Sequence, residues 1–224
     1  MQAVDAAIVD LDGTLVDTLG DFDAALNRTL AELQVPPVQR TAIETMVGKG
    51  SGHLVRSALA HVGADGDKYD VAMERYQAHY AVVNGLHSVV YAGAAEGLEA
   101  LARAGLRLVC LTNKPTGFAK ALLESKGLAR YFEDVFGGDL FERCKPDPLP
   151  VRKTCEALRT AAARTLVIGD SSNDARAARS AGCPVVLVTY GYNHGQPVRD
   201  VDADGFVDSL VEVAALLKPP TGRS

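Results

Sequence analysis

The 224-residue sequence has no CxxC pair, no long run of Lys or Arg, and no apolar stretch long enough to cross a bilayer. Each absence excludes something. Cys110, Cys144, Cys155 and Cys183 show neither a disulfide framework nor metal-ligand spacing with histidine, so reduced thiols in a cytoplasmic protein are expected. Cys110, inside Leu108-Val109-Cys110-Leu111, reads as core filling. A formal charge of -5 without a basic run argues against a nucleic-acid partner. Met1 to Asp5 is short, carries an acid and leads into a strand, unlike a signal peptide, and no membrane partner is expected. What is present is ordinary for a soluble globular chain: 47% hydrophobic and 23% charged residues, enough for one large domain or two smaller ones.

Short apolar runs at Val4 to Val9, Leu106 to Leu111, Thr165 to Ile168 and Val185 to Val188, with a weaker one at Val135-Phe136, alternate with helical patterns. The helices are expected over Glu96 to Ala104, Thr116 to Lys126, Pro150 to Arg159 and Asp174 to Ala181, with Gly105, Gly127 and Gly182 as C-terminal caps. This alternation predicts an α/β fold, a doubly wound parallel sheet built by right-handed crossovers. Residues 17–85 break the rhythm, reading as several helices with no convincing strand. The expected organisation is a core over 1–16 and 86–218, an inserted all-helical cap over 17–85, and a disordered tail over 219–224. Placed directly after the first strand, the insertion would cover that strand's end as a lid.

In open parallel sheets, ligands bind beyond the carboxyl ends of the strands. The first strand ends at Asp10 and Asp12, and residues two apart tend to one side. Two such carboxylates repel, and a hard divalent cation relieves them. Asp12-Gly13 is also a turn signal, but Leu19, Phe22, Leu26, Leu30 and Leu33 follow at helical spacing, so no hairpin returns. At the second strand's end, Thr112 and Asn113 suit an anion or a helix cap. Lys145, held before Pro146 at a helix start, is a surface lysine or a cation that stabilises charge transferred among acids. Asp170 and Asp174 are caps or metal ligands, Asp170 the stronger ligand and Asp174 a group to bind metal water or to orient Lys145.

In order, Asp10-Leu11-Asp12-Gly13-Thr14, Leu111-Thr112-Asn113, Lys145-Pro146 and Gly169-Asp170-Ser171-Ser172-Asn173-Asp174 resemble the four motifs of the haloacid dehalogenase-like superfamily, over nearly the whole chain. The finer likeness is to its phosphoglycolate phosphatase family, carried by Asp10 to Thr18, Gly169 to Pro184, Thr189 to Gly195 and Val47-Gly48-Lys49-Gly50, although Lys49 and Ser172 depart from the polar residues expected there. The resemblance implies that Asp10 attacks phosphorus, Asp12 serves as acid and then base, and Lys145 with Thr112 and Asn113 holds the phosphoryl group. It implies Mg2+ at Asp10, Asp12 (through its backbone carbonyl) and Asp170, with Asp174 alongside. An acid at Asp12 suits an alkoxide leaving group, favouring phosphoryl chemistry over halide displacement.

Substrate choice is expected from the cap. Lys49 or Arg56, near His53, would meet the carboxylate of a small acidic phosphate such as 2-phosphoglycolate, or would simply be solvated helix-end residues. Gly48-Lys49-Gly50-Ser51 lacks P-loop spacing and follows no strand. The Thr189 to Gly195 segment shapes the pocket or is mere packing. The expected activity is Mg-dependent hydrolysis of 2-phosphoglycolate, by a monomer or homodimer. Alternatives are another small phosphate ester, pyrophosphate, a β-phosphoglucomutase-like transfer, or a phosphonate hydrolase with a Lys49 Schiff base. A non-catalytic binding relative would be expected to have lost an acid or the lysine.

Overall fold

The computed structural model describes residues 3–64 and 66–217; the expected tail over 219–224 lies outside them. Continuous apolar runs form the sheet because a parallel strand is buried on both faces. The strands are β1 (Ala6–Val9), β4 (Arg107–Leu111), β5 (Asp134–Phe136), β6 (Thr165–Gly169), β7 (Val185–Val188) and β8 (Gly205–Val207), ordered β5-β4-β1-β6-β7-β8 with every pair parallel. Gly205-Phe206-Val207 is too short to give an apolar run, which is why β8 has no counterpart in the sequence reading.

Alternation within each strand divides the core. Ala7, Val9, Leu108, Cys110, Leu166 and Ile168 face α5 (Ala94–Arg103), α6 (Thr116–Ser125) and α9 (Val211–Leu216). Ala6, Ile8, Val109, Leu111 and Val167 face α7 (Leu149–Leu158) and α8 (Ser172–Ala181). The expected C-terminal glycines do follow their helices with positive φ, Gly182 at 83°. Because β4 and β6 flank β1 on opposite sides, the chain reverses its winding at β1, where such sheets open a crevice.

Between β1 and β4 lie α1 (Leu19–Glu32), α2 (Arg40–Met46), α3 (Ser51–His61) and α4 (Tyr69–Val83), which share their own core of Leu26, Leu30, Ile43, Leu54, Tyr76 and Tyr80. A two-residue antiparallel pair, β2 (Val16–Asp17) with β3 (Val89–Val90), clasps the chain where it leaves for these helices and returns. Two residues carry no periodicity, so sequence alone cannot register such a strand. No described helix is long and apolar enough to cross a membrane.

Candidate active site

Asp10 lies one residue past β1, where its N–H still donates to Ile168 O at 2.9 Å. Its Oδ1 receives the Leu11 N–H at 2.8 Å and lies 3.0 Å from Lys145 Nζ. Its Oδ2 accepts no hydrogen bond among the described residues. Lys145 is buried, not a surface lysine, and the helix that follows it begins at Leu149, within one residue of the expected Pro150. All three ammonium protons are directed: to Asp10, to Asp174 Oδ1 at 2.7 Å and to Leu111 O at 2.8 Å.

Asp174 is more than a cap. Its Oδ2 takes the N–H and O–H of Ser171, at 3.2 and 2.8 Å, which starts α8 two residues earlier than expected, while its Oδ1 holds Lys145. Asp170 accepts the Thr14 hydroxyl at 3.1 Å and the Tyr192 N–H at 2.6 Å. Asp10, Asp170 and Asp174 each present an oxygen within 4.8 Å of the others, and Lys145 bridges Asp10 and Asp174. The surplus negative charge shows in their proton affinities. Burial pushes Asp170 well above its ordinary value, aided by Asp174 and Asp10. Burial also pushes Asp10 up to about 7, against the pull of Lys145. At Asp174 burial acts upward too, but Lys145 and Ser171 outweigh it and hold the carboxyl low. Such a group fits a divalent cation on Asp10 and Asp170, since Asp10 Oδ2 has no partner among the described residues and Asp170 has only neutral ones, whereas Asp174 is already paired with Lys145.

Backbone approach is tight here. Gly13 has φ of 85°, and a Cβ on it would stand 2.1 Å from Asp170 Oδ2, so only glycine lets the turn close over that carboxylate. The Thr189 to Gly195 segment does shape the site: Tyr192 gives its N–H to Asp170, while its hydroxyl donates to Asp17 and accepts the N–H groups of Thr18 and Leu19.

Asp12 does not share a cation with Asp10 through its side chain. Both its oxygens face Lys114 Nζ, at 2.9 and 3.2 Å, and its carboxylate is outside the acidic group, so any metal role at Asp12 falls to its backbone carbonyl. Thr112 Oγ1 accepts the Lys114 N–H, leaving the hydroxyl proton to donate. The Asn113 side chain is committed elsewhere: its amide donates to Gly48 O and Lys145 O, and its oxygen takes the Lys145 N–H. It positions Lys145 and pins the Gly48 loop, so the part of Asn113 left to meet a phosphoryl group is its backbone N–H rather than its amide. Lys49 is exposed, and Arg56 stacks its guanidinium on Tyr69, 4.1 Å from the ring centre. Neither lines the cavity between the helical insertion and the sheet edge, whose walls include Asp12, Phe22, Ser51, Tyr80, Thr112 and Lys114. His53 is half-buried beside Ser57.

The sequence profile of the haloacid dehalogenase-like hydrolases matches residues 4–182. The chain belongs to that family. Among similar proteins, the phosphoglycolate phosphatase of Thiobacillus denitrificans is 42% identical, over 96% of both chains. That of Cupriavidus necator, plasmid-borne, is 43% identical, over 96% of this chain and 93% of its own. A crystal structure from Haemophilus somnus 129PT, described as a predicted phosphoglycolate phosphatase, superposes with a TM-score of 0.91 at 30% identity, covering 96% of this chain and 99% of that one. The protein is thus a haloacid dehalogenase-like hydrolase, and these relatives class it with the family's phosphatases of phosphate monoesters.

For a hydrolase of this family, sequence reasoning overlooked Lys114, which is as buried as Lys145. A signal existed: Lys114-Pro115 repeats the Lys145-Pro146 arrangement at another strand-end loop. It also overlooked Asp21, buried on α1, whose oxygens accept the N–H groups of Gly85 and His87, each at 2.7 Å.

Proposed function

We propose that the protein hydrolyses 2-phosphoglycolate to glycolate and phosphate through an aspartyl-phosphate on Asp10, with Mg2+ as cofactor. The observation that carries this reading is Asp10 itself: one oxygen is fixed by Lys145 and Leu11, the other has no partner, and the site lies beside a small cavity. Oδ2 attacks phosphorus as the ester oxygen departs. Asp12 protonates that oxygen, then takes a proton from the water that cleaves the acyl phosphate. Lys145 keeps the nucleophile oriented and supplies positive charge, and the Thr112 hydroxyl donates to the phosphoryl oxygens. Asp10, Asp170 and the Asp12 carbonyl would hold the ion, which screens the nucleophile from an anionic phosphate.

Residues 17–85 act in this reading as a cap that excludes water from the transfer. The exposure of Lys49 argues against a Schiff-base phosphonate hydrolase. The four free cysteines suit a reducing compartment such as the cytoplasm.

Phosphate release from a panel of esters and pyrophosphate, with and without magnesium, tests the proposal. 2-Phosphoglycolate should be the preferred substrate only when magnesium is present, and Asp10→Asn should lower turnover at least about 1,000-fold. Metal-independent release, or release undiminished by Asp10→Asn, would refute it.

A further inference from the structure

Among the described residues, the Lys114 ammonium is the one positive charge lining the cavity, and it is only 2% exposed at its side chain. It rests 4.8 Å from the ring centres of both Phe22 and Tyr80. One proton goes to the Tyr80 hydroxyl at 2.6 Å, and another is shared between the two oxygens of the Asp12 carboxylate, at 2.9 and 3.2 Å. An ammonium has three, so one remains. Because the Tyr80 oxygen accepts from Lys114, its own phenolic proton is also left to donate. Burial holds that phenol well above its ordinary value, so the proton stays. Two donors therefore converge on one small space, Lys114 from the loop after β4 and Tyr80 from α4. A second anionic group two or three bonds from the phosphorus would find a charge and a hydroxyl ready to receive it, walled by apolar rings where such bonds are strong.

Resting on the phosphatase reading above, we infer that Lys114 with Tyr80 is the carboxylate-binding subsite of this enzyme and selects phosphate esters that carry a carboxylate next to the ester carbon. Lys49 and Arg56 then have no part in that selection. Lys114 belongs to the sheet domain and Tyr80 to the helical insertion. A carboxylate bridging them ties substrate recognition to the closed arrangement of the two.

The test compares 2-phosphoglycolate with ethyl phosphate, the same ester with a methyl group in place of the carboxylate. Affinity for each is measured calorimetrically with magnesium in the Asp10→Asn protein, which keeps both ligands intact. The parent should prefer 2-phosphoglycolate by about tenfold or more, the range of a charged hydrogen bond. Lys114→Met should erase that preference while changing ethyl phosphate affinity by less than about threefold, Lys114→Arg should restore part of it, and Tyr80→Phe should reduce it several-fold. Affinity for both esters falling together, or an unchanged ratio in Lys114→Met, would overturn the inference. Should Lys114→Met not fold, an unchanged ratio in Tyr80→Phe overturns it equally. A parent that binds the two esters alike refutes the subsite and leaves the phosphatase standing. A preserved preference alongside no phosphate release from the wild-type enzyme refutes the activity and leaves the subsite.

Discussion

Lys145 shows how one buried cation organises two acids. Burial opposes its charge, yet Asp10 and Asp174 more than compensate, and its proton is held far more tightly than an ordinary lysine's. Removing it would strand Asp174, 1% exposed at its side chain, without a counter-charge. Lys145→Met should therefore lower stability by about 3 kcal/mol or more, read by urea unfolding, and should also abolish turnover. Asp174→Asn in addition should soften the loss of stability, since one fewer unpaired charge is left behind. A residue's type and strand-end position were enough to nominate Asp10, Asp170 and Lys145. They were not enough for Asn113, whose amide, identical in chemistry to a phosphate donor, is consumed by two backbone segments. Nor did they reveal Lys114, because its value depends on Tyr80 and Asp12, 34 and 102 residues away in sequence.

At the level of elements, the decisive piece is α1. An acid in its first turn is ordinary complementation of the helix dipole, and Asp21 occupies that turn. In the structure it also straps the returning chain, binding the N–H groups of Gly85 and His87. Lys126 reinforces the strap by donating to Gly85 O and Ser88 O. Asp21→Ala would leave two backbone donors without their partner. It should lower stability by about 2 kcal/mol and open the 84–88 segment to limited proteolysis, with cleavage there as the readout. Unchanged protease resistance would show that Lys126 alone suffices. The long, periodic elements agreed with their sequence patterns to within about two residues. β2, β3 and β8, of two or three residues, left no pattern to read.

For the whole molecule, folding gathers more negative charge around Asp10 than the protein neutralises by itself. The Asp10 carboxyl stands at about 7 in the folded chain against an ordinary 3.8, and Asp170 is raised in the same sense. A raised acid favours the folded state fully below its unfolded value, and that contribution is lost as pH rises through the folded one. The metal-free protein should thus lose melting temperature between about pH 4 and pH 8, and Asp10→Asn should flatten the slope. Magnesium at about 100 times its Kd should return about 2.7 kcal/mol at pH 8, and a chelator should remove it. Scanning calorimetry across pH, with and without magnesium, checks all three.

The sequence by itself determined the parallel sheet, the helical insertion after the first strand and the edge on which the acids gather. Each depends on period and order along the chain, which short-range sterics and burial translate directly into structure. Only tertiary structure decided how the charges pair: Lys145 with Asp10 and Asp174, Lys114 with Asp12, and Asn113 with backbone. Those pairings are made across more than 25 residues by groups of identical chemistry competing for the same partners. Which competitor wins is set by the packing that brings it within 3 Å.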